Sequence, residues 1–126
     1  MKPAKPKQTK GPAHVIAAFG YSLAGLRCLW KEVAFRLELL GGALGLTILI
    51  VAGASASRLL LFVLLFLAVL VIEALNTAVE MIVDKISPEW SEFGKKTKDV
   101  GSAAVFLIII ANGVYFSATL FEILYL

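Results

Sequence analysis

A chain of 126 residues is long enough for one domain. It is 60% hydrophobic and only 17% charged, which excludes an ordinary soluble globule, because small domains bury the smallest fraction of their apolar surface. The net charge is +3, but the basic residues flank apolar runs, as they do beside anionic lipid headgroups, so membrane lipid is the expected partner and nucleic acid is not.

Residues 1–12 are rich in lysine and broken by Pro3, Pro6 and Pro12. No cleavable apolar stretch follows directly, so they read as a disordered basic tail rather than a signal peptide. Residues 13–31 are amphipathic. Val15, Ile16, Phe19, Leu23, Leu26 and Trp30 fall within about 100° of arc at helical spacing, as expected of a helix lying in the membrane interface. Cys28 is the single cysteine and His14 the single histidine, which excludes an internal disulfide and any cysteine-only or histidine-pair metal site within one chain.

The first span is expected over about 33–54, where Gly41 and Gly45 form a small-xxx-small pair permitting close helix contact. A short turn leads to the second span, about 58–86, which Pro88 ends. Residues 87–97 read as a polar loop, and the third span as about 98–124. Lysine and arginine crowd the N-terminal segment and the second loop, whereas the first loop has only Arg58 and the C-terminus none. By the positive-inside rule the N-terminus and second loop face the cytoplasm. The expected fold is therefore an all-α membrane protein, in which residues 13–126 form one domain with an interfacial helix and three transmembrane helices.

The second span holds the chemistry. Glu73, Asn76, Glu80 and Asp84 lie within roughly 80° of one helix face. A carboxylate at the depth of Glu73 costs at least a few kcal/mol if it faces lipid, so this face must meet protein, a partner or water. Structural helix glue is one explanation of it, and a midplane coupling residue in a small transporter is another. Carboxylates and an amide also offer hard oxygen ligands suited to Mg²⁺ and phosphate. Lys98 is placed to neutralise phosphate, and Asp99 to cap the third span, with Ser102 just inside it.

Three stretches carry a resemblance to a known family. Glu73-Ala-Leu-Asn76-Thr-Ala-Val-Glu80 continues into Val83-Asp84-Lys85-Ile86 and then Lys98-Asp99-Val-Gly101-Ser102-Ala-Ala-Val105. Glu32-Val-Ala-Phe35-Arg36-Leu-Glu38 opens the first span, and Gly20-Tyr21-Ser22 through Gly25-Leu26-Arg27 marks the interfacial helix. Over about residues 14–115 the chain resembles the prokaryotic diacylglycerol kinases.

The resemblance implies a homotrimer in the bacterial inner membrane that uses ATP and Mg²⁺ to convert diacylglycerol to phosphatidic acid, with sites drawing on neighbouring subunits. It implies that Glu73 is the base for the lipid hydroxyl and that Glu32 and Glu80 hold Mg²⁺. Tyr21, Ser22, Glu32, Asn76, Glu80, Lys98 and Asp99 would contact the nucleotide or its phosphates. Arg36, Glu38, Glu73 and Ser102 would face the lipid substrate. An undecaprenol kinase of the same family is the alternative. Pro88 and Trp90 in the second loop depart from the family pattern, as does the short stretch between Arg27 and Glu32.

Overall fold

The computed structural model describes residues 1–5 and 7–126, so Pro6 of the expected tail lies outside the described residues. The chain divides into two units, Met1–Glu32 and Val33–Leu126. The first holds one helix, α1 (Pro12–Leu29), with Pro12 in its first turn, where a missing N–H costs nothing. No residue of α1 is buried, and its apolar positions, including Val15, Ile16 and Phe19, are exposed.

The second unit consists of α2 (Val33–Val51), α3 (Ala56–Ile86) and α4 (Glu92–Tyr125). All three are long and apolar enough to cross a membrane. At 1.5 Å per residue, α3 and α4 run to about 46 and 51 Å, well beyond a hydrocarbon core of about 30 Å.

Helix α3 is the centre of the unit, packing against α2 on one side and most extensively against α4. Its buried residues are Phe62, Val69, Glu73, Thr77 and Val83. On α4, Gly94, Val105 and Thr119 are buried. The spacings of seven, four and four from Phe62 to Thr77 describe a seam between antiparallel helices. The Phe62 and Phe116 rings meet at one end of it, 6.1 Å apart and tilted by 55°. There Arg58 and Glu122 form an ion pair at 2.7 Å, and the Tyr115 hydroxyl donates to the Arg58 carbonyl at 2.9 Å.

Against α2, the Phe66 ring fills the place of a Gly42 side chain, and the Phe62 ring comes within 2.8 Å of where a Gly45 Cβ would stand. The small pair in contact is thus Gly42 and Gly45. Gly41 faces open space: positions 41 and 42 lie on opposite sides of position 45 around the helix, and α3 packs on the side of 42.

The segment expected as a loop over 87–97 is much shorter. Helix α4 already starts at Glu92, where the Ser91 Oγ accepts from the Gly94 N–H at 3.0 Å. Ion pairs Glu92–Lys96 at 2.8 Å and Lys95–Asp99 at 2.6 Å then support the first turns. Asp99 is consequently not a cap but lies in the third turn of the helix, and Ser102 lies deeper still.

The α2–α3 turn is a Schellman motif. Gly53 adopts φ 86°, its N–H donates to the Ile50 carbonyl at 3.0 Å, and the Ala54 N–H donates to the Leu49 carbonyl at 2.9 Å. An L side chain in this backbone region costs about 1–2 kcal/mol, and Asn tolerates it best. Unfolding in detergent micelles should therefore rank the variants Gly53, Gly53→Asn, Gly53→Ala in falling stability. Equal midpoints for Gly53 and Gly53→Ala would show that the motif does not hold the turn.

Candidate active site on the α3–α4 hairpin

The polar residues of α3 continue its packing seam. Position 69 leads to 73, 76, 77, 80 and 84, so the face that buries Phe62 and Val69 becomes a row of carboxylate, amide and hydroxyl groups towards the end of the helix. Glu73 is only 5% exposed and Thr77 only 7%. The seam is thus dry around Glu73 and opens to water as Glu80 and then Asp84 are reached: Glu80 is half-buried and Asp84 exposed.

Three contacts organise this end of the hairpin. The Asn76 Nδ2 donates to Glu80 Oε1 at 3.3 Å within α3. The Lys98 ammonium reaches from α4 to the Asp84 carboxylate at 2.5 Å. Lys95 holds Asp99 one turn along α4. An open groove of about 620 Å³ runs between the two helices, lined by Asn76, Leu75, Val79, Lys96, Thr97 and Gly101 among others. It is apolar along its walls, with the amide and the lysine as its polar points.

Helix α2 adds Glu38, whose Oε2 is buried without a hydrogen-bond partner and which feels the charge of Glu73 on α3. Below it a second cavity of about 540 Å³ extends past Gly41, Gly42 and Gly45 to Phe62, Phe66 and Asn112. Arg36, two residues earlier on α2, is exposed, as is Ser102 on α4.

The hairpin therefore gathers Glu73, Asn76, Glu80, Lys98 and Asp99, with Glu38 beside Glu73. Tyr21, Ser22 and Glu32 belong to the first unit. There Tyr21 is exposed, Ser22 bonds its own helix at the Ala18 carbonyl, and Glu32 follows the last turn of α1. The ion partner of Lys98 is the feature that sequence reading did not assign. Asp84 carried the signal, since it stands four residues beyond Glu80 on the same face.

Within the second unit no three Asp, Glu, His or Cys side chains converge as a ready metal cage. The donors present still suit Mg²⁺, which takes one or two carboxylates and completes its shell with phosphate and water. Glu80 offers a carboxylate with one oxygen oriented by Asn76, and the Asn76 Oδ1 is a buried acceptor with no hydrogen-bond partner.

Comparisons with known proteins bear on the family. The family model described as prokaryotic diacylglycerol kinase matches residues 20–120, which takes in the later half of α1, all of α2 and α3, and most of α4. A diacylglycerol kinase of Sinorhizobium sp is 48% identical over 109 residues, covering 86% of this chain and 79% of that protein. One from Escherichia coli K12 is 39% identical over 103 residues, covering 81% and 84%. One from Haemophilus influenzae is 35% identical over 115 residues, covering 90% and 98%. A multi-pass helical chain that matches the family model over residues 20–120 and these relatives over 79–98% of their length is a member of the prokaryotic diacylglycerol kinase family.

Proposed function

We propose that this chain phosphorylates diacylglycerol to phosphatidic acid with ATP and Mg²⁺, as a homotrimer in the bacterial inner membrane, with its site at the cytoplasmic interface. The observation that carries the reading is the order of groups along α3: a dry carboxylate at Glu73, then the Asn76–Glu80 pair, then Asp84 with Lys98. Phosphoryl transfer needs positioning and charge neutralisation more than covalent chemistry, and these groups supply both.

In this mechanism the diacylglycerol hydroxyl lies against Glu73. Its proton passes to the Glu73 carboxylate as its oxygen bonds to the γ-phosphorus. The bond from that phosphorus to the β–γ bridging oxygen breaks, leaving ADP and phosphatidic acid. Arg36, Glu38 and Ser102 hold the lipid side. Lys98 lies against the phosphates, and Tyr21, Ser22, Asn76 and Asp99 position the nucleotide. Glu80 and Glu32 would hold Mg²⁺, which would supply neutralisation of the phosphate charge.

Glu73 to Glu80 spans about 10 Å of helix, so base and metal ligand stand at different depths, matching a lipid hydroxyl below the headgroups and a nucleotide above them. The topology follows from the lysines and arginines on the N-terminal segment and between α3 and α4. The trimer is supported by the site itself: Glu80 is only half-buried and Asp84 exposed, and neighbouring copies would shelter a site that one hairpin leaves open.

Purified protein in lipid, given labelled ATP, Mg²⁺ and a choice of diacylglycerol or undecaprenol, should label diacylglycerol. Preferential labelling of undecaprenol would reassign the substrate, and no transfer to either lipid would remove the kinase reading. Glu73→Gln should lower turnover by about 10²–10⁴, the usual worth of a general base, while leaving the assembly intact on size exclusion. Near-normal turnover would exclude Glu73 as the base. Glu80→Ala should lose activity that raised Mg²⁺ partly restores, and an unchanged Mg²⁺ dependence would count against its role as a ligand.

A further inference from the structure

Resting on that kinase reading, we propose that Gly101 is a positioning residue: its missing side chain is what lets the Asn76 amide stay turned towards Glu80.

Asn76 on α3 and Gly101 on α4 face each other across the seam. A Cβ built on Gly101 would overlap the Asn76 Oδ1 and stand 3.4 Å from its Cγ. The amide cannot escape by exchanging its ends. Its Nδ2 donates to Glu80 Oε1 at 3.3 Å, and an ionised carboxylate only accepts, so a flipped amide would set oxygen against oxygen. The bond is already near the upper limit of useful length. A displacement of a few tenths of an ångström therefore ends it.

The groove beside these residues is lined by both Asn76 and Gly101. A displaced amide thus has room to swing into it, and the helices need not part. Substituting Gly101 should accordingly alter the site more than the fold. Gly113, three turns along α4, has nothing within 4 Å of its Cβ position and serves as the contrast. With the amide gone, Glu80 loses the Asn76 donor that orients its carboxylate, and the carboxylate would be free to take several rotamers where it would hold a metal.

The test combines a readout independent of turnover with a double-variant cycle. In the apo protein with ¹⁵N-labelled asparagine, Gly101→Ala should move the Asn76 side-chain amide resonances towards solvent values, and Gly113→Ala should leave them in place. In turnover, Gly101→Ala should raise the Mg²⁺ concentration for half-activity by about tenfold, as expected for losing one hydrogen bond to a charged group, while KM for diacylglycerol stays within about twofold. Added to Asn76→Ala, where the clashing amide is gone, Gly101→Ala should change that Mg²⁺ value less than about twofold, the signature of residues acting as one unit. Should Gly101→Ala alone fail to fold, folding of the double variant would support the contact, and failure of both would overturn it. Unmoved Asn76 resonances, or effects that multiply in the double variant, would also overturn it. If wild-type protein transfers no phosphate to diacylglycerol, the kinase reading falls, and the resonance shift still decides whether Gly101 positions Asn76.

Discussion

A carboxylate inside a membrane helix has to be held by protein, and the α3–α4 seam around Glu73 is the constraint on which the rest of this molecule depends. Glu73 is buried on the same stripe as Phe62, Val69 and Thr77, so the contacts that pair the helices are also those that take the carboxylate out of lipid. Apolar attraction cannot pair helices in a bilayer, where lipid tails are as apolar as leucine. Close packing and polar contacts do it instead. The aromatic contact and the Arg58–Glu122 pair fix one end of the hairpin, and the Ser87–Ser91 hydroxyl bond with the Ser91 cap fixes the other. Between them the polar groups of the site have a defined depth and register.

The excess length of α3 and α4 gives that register its use. A helix of about 46 Å cannot be contained in a core of about 30 Å, so part of α3 and the start of α4 must project into the interface or beyond. The charged residues show which part. Glu80, Asp84, Lys85, Glu92, Lys95, Lys96, Lys98 and Asp99 all belong to the same end of the hairpin. The projecting end is rigid because it is continuous helix on both sides, joined by five residues in which the Ser87 and Ser91 hydroxyls bond each other at 2.7 Å. A site on two helices is held more tightly than one on a loop of the length expected from the sequence.

The stripe on α3 was legible because helical periodicity is a local property: once the segment is a helix, the common face of Glu73, Asn76, Glu80 and Asp84 follows from residue spacing alone. The three long apolar helices were legible for the same reason. The start of α4 was not. Glu92, Gly94, Lys95, Lys96 and Thr97 look like a loop when polarity is read as exposure, yet their charges are spaced four apart with those of Lys96 and Asp99, and a cap stands at Ser91. Misplacing that start turned Asp99 into a cap and hid its pairing with Lys95. Gly42 and Gly101 were out of reach for a different reason. Which glycine touches the neighbouring helix depends on how the two helices are rotated about each other, and a single sequence does not contain that angle.

The Lys98–Asp84 pair then takes on a second meaning. Its side chains are 38% and 65% exposed, so water and salt screen the attraction, and pairs of this kind contribute little to stability. On the proposed mechanism, a weak partner suits a lysine that would exchange it for phosphate. Asp84 keeps the ammonium extended across the hairpin towards the Glu80 face. A phosphate group, carrying more charge and more acceptor oxygens than a single carboxylate, competes well for the same ammonium. The carboxylates at the two ends of the stripe thus do different work. At Glu73, burial keeps water from the group proposed as the base. At Asp84, exposure keeps the hold on Lys98 light enough for the proposed nucleotide to displace.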